Sequence, residues 1–330
     1  MRTIFSIPSI VKIDKFVSAL VAIVLLAWLL PQPAGGKSGV ILGYVSTAGI
    51  SLIFFFYGLR LSADKIKAGV SNWKLHIVVQ LSTYLLFPLV VLALYPFSRS
   101  EEHEILWLGL FFLAAVPSTV SSSVVMVSIG RGNIPGAIFN ASISGLLGII
   151  LTPLWMGLFL QQRAEGFDFT HVYLRLFLVI ILPVIIGLLL QRKWYSFAVK
   201  HSRALSTFDK SVILLIVYRS FASSFTDDIF SLVHLSDLLL LAAAVIALFF
   251  LMYWLVRLVT LALKFNREDR ITALFCSTQK SLVHGTVFAS VLFASHHAAG
   301  LILLPLMLFH SLQIFVISII AARYGRNDNE

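Results

Sequence analysis

The sequence predicts an all-α polytopic membrane protein in which ten transmembrane helices form two inverted five-helix repeats. Three observations carry that expectation. Apolar runs recur along the whole chain, Lys and Arg collect in alternate connections, and polar marks of the first half return in the second.

Of the 330 residues, 59% are hydrophobic and 12% charged, and the mean hydropathy is +0.95. Soluble domains carry about a quarter charged residues. Runs of roughly 15 to 25 apolar residues follow one another, the length a helix needs to cross the hydrocarbon core. Spans drawn on them cover about 14–31, 40–62, 74–96, 105–129, 134–160, 171–191, 209–226, 236–263, 271–293 and 299–322. The connections carry turn residues, as in Pro31-Gln32-Pro33-Ala34-Gly35-Gly36, Arg131-Gly132-Asn133 and Asn266-Arg267-Glu268-Asp269. The run from Phe16 to Leu30 lacks a small-residue cleavage site after it, so it is expected to be the first span rather than a cleaved leader.

The formal net charge is +10, yet the positives form no single face, which argues against a nucleic-acid partner. They sit before the first span (Arg2, Lys12, Lys15) and in every second loop: Arg60, Lys65, Lys67 and Lys74; Arg192, Lys193, Lys200, Arg203 and Lys210; Lys264, Arg267 and Arg270. The intervening loops hold acids such as Glu101, Glu102, Glu104, Asp227 and Asp228. Positive loops stay inside, so both termini are expected in the cytoplasm and the protein in the bacterial inner (plasma) membrane. Trp73, Trp107, Trp155 and Trp194 fall near span ends, where amphipathic rings favour the interface. Cys276 is the single cysteine, so an intramolecular disulfide is excluded. His296 and His297 are adjacent with no third ligand, a poor metal site. No G-x-S-x-G, H-E-x-x-H or phosphate-cradling loop is credibly placed, so neither an enzyme nor a resident cofactor is expected.

The repeat shows as three matches in order. Ser118-Thr119-Val120-Ser121-Ser122 returns as Ser277-Thr278-Gln279-Lys280-Ser281, 159 residues on; Pro153 returns as Pro305 after 152, and Tyr57 as Tyr218 after 161. An offset near 160 divides the chain at about 165, giving a first repeat over 1–165 and a second over 166–330. Five spans per half force the second half to enter from the opposite side. Inverted repeats with helices interrupted in corresponding positions are the mark of secondary transporters, whose sites lie near the midplane.

The interruptions fall in spans 4 and 9. Non-helical backbone at membrane depth is tolerated only where protein or a water-filled cavity satisfies it. Ser118, Thr119, Ser121, Ser122 and Ser123 offer hydroxyls from one break; Ser277, Thr278, Gln279, Lys280 and Ser281 offer hydroxyls, an amide and an ammonium from the other. Close helix packing with back-bonding to carbonyls is the alternative use of the hydroxyls. Lys280 is the sharpest of these, because a lysine at membrane depth costs roughly 3 kcal/mol or more. It can stand in for a coupling cation, meet an anionic solute, or cycle a proton. Span 5 offers Asn140, Ser142 and Ser144 on a small-residue stripe; Asn140 can reach the span 4 break, and close small-residue helix packing is an equal account of the stripe. His284 lies one turn beyond Lys280, and His310 and Gln313 are a turn apart in span 10. Arg219 sits inside span 7, where it faces a cavity or pairs with an acid.

At these residues the chain resembles the bile acid:sodium symporter family, in which helices 4 and 9 are broken and cross at the midplane. The frame is carried by Val116-Pro117 through Arg131-Gly132-Asn133 and by Leu151-Thr152-Pro153. The bacterial YfeH-like branch, akin to the seventh human member of that carrier family, is the closer similarity. It is carried by Tyr57-Gly58-Leu59-Arg60-Leu61-Ser62, Trp73-Lys74-Leu75-His76, Ser82-Thr83-Tyr84-Leu85-Leu86-Phe87-Pro88, Phe275 to Leu282 and Leu304 to His310. Sodium-coupled members carry a Glu-x-Gly-x-Gln-Asn motif in span 9. Its Gln falls here on Gln279, its Asn on Lys280 and its Glu on the apolar Phe275, while the span 4 Asn becomes Ser122 or Ser123 and the span 3 Gln falls near Thr83. A lost carboxylate and a gained ammonium turn a cation-attracting site into a repelling one; like charges 4 Å apart repel by about 4 kcal/mol at moderate dielectric.

The resemblance implies panel and core domains, each built from both halves, that rock against each other in alternating access. The expected partner is a small solute, an organic anion or a bile-acid- or steroid-like molecule, and membrane lipids surround the chain. Coupling to Na+ or H+ stays open, with Lys280 able to replace sodium. A regulatory membrane protein acting on calcium or envelope homeostasis without turnover is the alternative.

Overall fold

The computed structural model describes residues 15–61, 72–97, 101–160, 169–294 and 296–326. Arg2, Lys12, Ser62, Lys65 and Lys67, which enter the loop count and the resemblance, lie outside them. Every regular element among the described residues is helical. In chain order these are α1 (Lys15–Leu29), α2 (Gly36–Arg60) and α3. Helix α3 runs from Trp73–Leu81 through a π-helical turn, Ser82–Leu86, into Phe87–Leu92. Next come α4 (Glu101–Ala115), α5 (Ser121–Ile129) and α6 (Ile134–Leu160). Helix α7 joins Phe169–Leu176, a second π turn at Phe177–Ile181, and Leu182–Lys200. Then follow α8 (Ser202–Thr226), α9 (Leu235–Ala262), α10 (Arg267–Thr278), α11 (Leu282–Leu292) and α12 (Ala299–Arg326).

Six of these helices are long and apolar enough to cross a membrane: α2, α3, α6, α7, α9 and α12. The regions drawn as spans 4 and 9 do not count, because each is cut into two shorter helices, α4 and α5, and α10 and α11. Helix α8 begins with Arg203, Asp209 and Lys210, and α1 is only 15 residues long. Large apolar side chains such as Leu189, Leu239, Leu240 and Trp254 stand exposed on the outside. A multi-pass membrane protein presents such a surface to acyl chains rather than to water.

Packing sorts the helices into two groups. α2 lies along α7, and α1 and α2 both lie on α8. The α2–α7 contact is backbone on backbone: a Cβ on Gly58 would stand 2.4 Å from the Val184 carbonyl oxygen, and one on Gly187 2.2 Å from that of Phe55. Small residues that admit such approach are a standard device where lipid offers no hydrophobic drive. In the other group, α12 touches α4, α5, α9 and α11, and α10 packs on α3, α5, α6 and α9. A polar clasp ties the α5–α6 turn to the start of α10. Asn133 Nδ2 donates to Asp269 Oδ1 at 2.7 Å, and Asn133 N–H donates to Thr272 Oγ1 at 2.8 Å. Within the first group, the far end of α2 meets the start of α8 through an Arg60–Asp209 ion pair of 3.2 Å, while α8 joins the two groups by lying on α11 and α12.

Candidate functional site

The chain unwinds over residues 116–120, between α4 and α5, and over 279–281, between α10 and α11. The two stretches touch directly. Ser281 N–H donates to the Pro117 carbonyl at 2.8 Å, and Ser118 Oγ donates to the Cys276 carbonyl at 2.5 Å. Thr119 and Ser122 hydroxyls both donate to Gln279 Oε1, at 3.1 and 3.0 Å. Ser144 Oγ, from α6, accepts the Ser118 N–H at 3.0 Å. Buried backbone groups that a helix would pair internally are thus paired across the crossing, as a dry interior requires.

Lys280 is fully buried, and its ammonium turns back into the protein. Nζ donates to the carbonyls of Ala114 at 2.6 Å, Thr83 at 2.9 Å and Val116 at 3.0 Å, and it lies 4.3 Å from the centre of the Phe87 ring. An ammonium has three N–H donors, so three carbonyls satisfy it completely. Two of the acceptors belong to the C-terminal end of α4, the negative pole of that half-helix. The third, Thr83, sits in the π turn of α3, where the register slips so that Phe87 N–H reaches back to Ser82. Such turns recur at functional sites. The unwound backbone of Lys280 itself is held by one side chain: Gln313 Oε1 accepts its N–H at 2.7 Å, and Gln313 Nε2 donates to its carbonyl at 2.8 Å.

A cavity of about 480 Å3 opens beside the crossing. Thr119, Ser122 and Ser281 reach it from the breaks, Phe54 and Tyr57 from α2, and His284 from α11. Ser142 and His310 add polar atoms, and the mouth carries Arg60, Asp209 and Lys210. The N-terminal turns of both α5 and α11 therefore border the cavity, with their positive poles toward it. Ser281 caps α11 through His284 N–H at 3.3 Å, and its Oγ lies 2.9 Å from His284 Nδ1. An aromatic cluster flanks the cavity. Phe54 and Phe288 stack at 6.5 Å, and His284 meets Phe54 and Tyr57 edge-on, each at 5.7 Å.

The residues singled out by sequence thus separate into three sets. Thr119, Ser122, Ser281 and His284 face the cavity. Ser118, Gln279, Lys280 and Ser144 hold the crossing together beneath it. The others point elsewhere: Ser123 Oγ bonds back to the Thr119 carbonyl at 2.5 Å, Thr278 Oγ1 to that of Leu274 at 2.7 Å, and Ser277 Oγ, though buried, has no partner among the described residues. Ser121 opens α5; its side chain lies outside the described part. Asn140 joins α3 instead of the break, with Nδ2 at 2.9 Å from His76 Nδ1 and Oδ1 accepting from Gln80 at 3.1 Å. Sequence reasoning passed over the three carbonyls that hold Lys280, because a backbone acceptor leaves no mark in side-chain chemistry.

The model of the SBF-like CPA transporter family (DUF4137) matches residues 14–326. An uncharacterized protein of Pseudomonas aeruginosa, PA2026, is 38% identical over 317 residues, covering 96% of this chain and 94% of its own. YfeH of Escherichia coli is 32% identical over 319 residues, covering 96% and 95%. Sodium/bile acid cotransporter 7 of Rattus norvegicus is 31% identical over 278 residues, covering 84% and 82%.

Proposed function

The chain belongs to the SBF-like CPA transporter family, and from that premise we propose that it moves a small amphipathic organic anion, of bile-acid or steroid-like size, by alternating access without bound sodium. Family and relatives are transporters rather than enzymes. In this reading the described helices make ten spans in two inverted halves, 1–165 and 166–330. The bundle of α1, α2, α7 and α8 is the panel, and the remaining helices are the core. Positive loops put Arg60 and Lys210 on the cytoplasmic side of the inner membrane. The 480 Å3 cavity then faces the cytoplasm, and the Phe54–Phe288 layer shuts the other side. Rocking panel against core would part that layer and close the Arg60–Asp209 mouth.

The observation that carries the proposal is the ammonium of Lys280 on three converging carbonyls. Carbonyl oxygens gathered in this way replace the hydration shell of a monovalent cation. A tethered cation there neutralises the C-terminal pole of α4 permanently, and Ser118 satisfies the carbonyl of Cys276 at the end of α10. What the cavity then sees is the positive poles of α5 and α11, with aromatic walls to take an apolar body. That pattern favours an anion with a hydrophobic frame. An open cavity at the crossing also favours transport over a purely regulatory role, for which a closed midplane would suffice.

Uptake of radiolabelled taurocholate into proteoliposomes loaded with choline, with sodium or choline outside, tests this. Protein-dependent uptake that is equal in the two salts and abolished by Ser122→Trp, which fills the cavity, is the expected result. Uptake that requires a sodium gradient, and that survives Lys280→Ala, would contradict the proposal.

A further inference from the structure

A second cavity, of about 300 Å3, lies toward the opposite end of the same helices. Arg175 of α7 and Arg219 of α8 line it, with Ser46 and Thr47 of α2 and Ser290 of α11. Among the described residues neither guanidinium has a carboxylate or a hydrogen-bond partner, and Arg219 Nε is buried without an acceptor. An ionisable group in a transmembrane segment normally pairs or serves a function. The hydroxyls around these arginines have spent their hydrogens on their own helices: Ser46 on Leu42, Thr47 on Gly43 and Ser290 on Val287. The free charged donors are therefore the two guanidiniums, with the Tyr44 hydroxyl the one neutral donor left beside them among the described lining residues. The backbone of α2 makes room for one of them, since a Cβ on Gly43 would stand 3.1 Å from Arg219 Nη2.

We infer that Arg175 and Arg219 form an oxyanion-binding site for a carboxylate, sulfonate or phosphate group at the mouth opposite the first cavity. Two planar forks on neighbouring helices match the paired oxygens of such a group, which a lysine pair would not do. The site also lies on one path with the first cavity. Helix α2 offers Ile50 to this cavity and Ile53 to the other, and α11 begins at the first and ends at the second. From Gly43 to Tyr57, α2 climbs about 21 Å at the helical rise. The role as first contact for a transported anion rests on the proposed function; the oxyanion site itself does not.

The test uses the purified full chain in an uncharged detergent, with inorganic sulfate as the probe and chloride at matched ionic strength as the reference. The expected result is a saturable, sulfate-specific rise in thermal stability, weakened about tenfold or more by Arg175→Gln or Arg219→Gln, as loss of a charged hydrogen-bond donor implies. Gly43→Val, which crowds Arg219 and keeps its charge, should weaken it too. The same sulfate shift in wild type and in the double Gln variant would be a general salt effect and would overturn the site, as would no shift at all. Nanodiscs separate the two sources of the oxyanion. Sulfate response lost in phosphatidylglycerol but kept in phosphatidylcholine supports a lipid headgroup as the occupant; response kept in both supports a soluble anion. Sulfate indifference with taurocholate uptake intact overturns this site alone, and sulfate binding without uptake overturns the transport reading alone.

Discussion

The two unwound stretches, 116–120 and 279–281, correspond in sequence and meet in space, yet they solve the same problem differently. Each leaves a half-helix with its C-terminal carbonyls exposed inside the protein. The end of α10 is satisfied by a neutral group, the Ser118 hydroxyl on the Cys276 carbonyl. The end of α4 receives a full charge, the Lys280 ammonium shared among Ala114, Val116 and Thr83. One crossing thus holds one tethered cation, supplied by the second half of the chain to the first. The two ends are not interchangeable: the α4 end is built as a cation seat, and the α10 end is not.

Substitutions should rank accordingly. Lys280→Ala strands three buried carbonyls, each worth about 1–3 kcal/mol when left unmade, so it should cost more than any other change here, about 3 kcal/mol or more. Thermal unfolding in choline chloride measures that loss, and sodium chloride should restore part of it by letting a free cation reach the same oxygens. Gln313→Leu removes both hydrogen bonds that hold the unwound Lys280 backbone; about 2 kcal/mol is expected. That loss should be insensitive to sodium, since the seat stays filled. Ser118→Ala takes away the neutral partner of the α10 end and should cost about 1 kcal/mol, again without a sodium response. If sodium rescued Ser118→Ala as well as Lys280→Ala, the contrast between the two ends would fail. Asp209→Asn is the mildest. Its pair with Arg60 is partly open to solvent at the cavity mouth, so stability should change by less than about 1 kcal/mol, while the mouth would open more readily and taurocholate leave faster.

Much of this crossing could be read from the amino acids. A lysine and a cluster of hydroxyls do not stand in apolar spans without partners, and the spacing between Ser118 and Ser277 placed the two breaks as a pair. The partners were harder to read. Thr83, Ala114 and Val116 serve through backbone carbonyls, which are the same for every residue type. Gln313 stands only as a polar residue one turn from His310, with nothing to say that it mimics a peptide for Lys280. Asn140 is chemically suited to a break but lies on the face of α6 that meets α3, a matter of helix rotation that apolar surroundings on all sides do not reveal. The interruption of spans 4 and 9 was legible too: each is divided into two shorter helices at its polar stretch. Arg219 was conspicuous in sequence; Arg175, sitting near a span end, was not, and only the fold brings the two to one cavity.

Lys280 already occupies the cation seat of the crossing in this reading. Thermal unfolding of the wild-type protein in sodium chloride against choline chloride, at matched concentration, tests it most directly. The same midpoint in both salts is predicted. A saturable stabilisation specific to sodium in the wild type would show a second, vacant seat and contradict the claim.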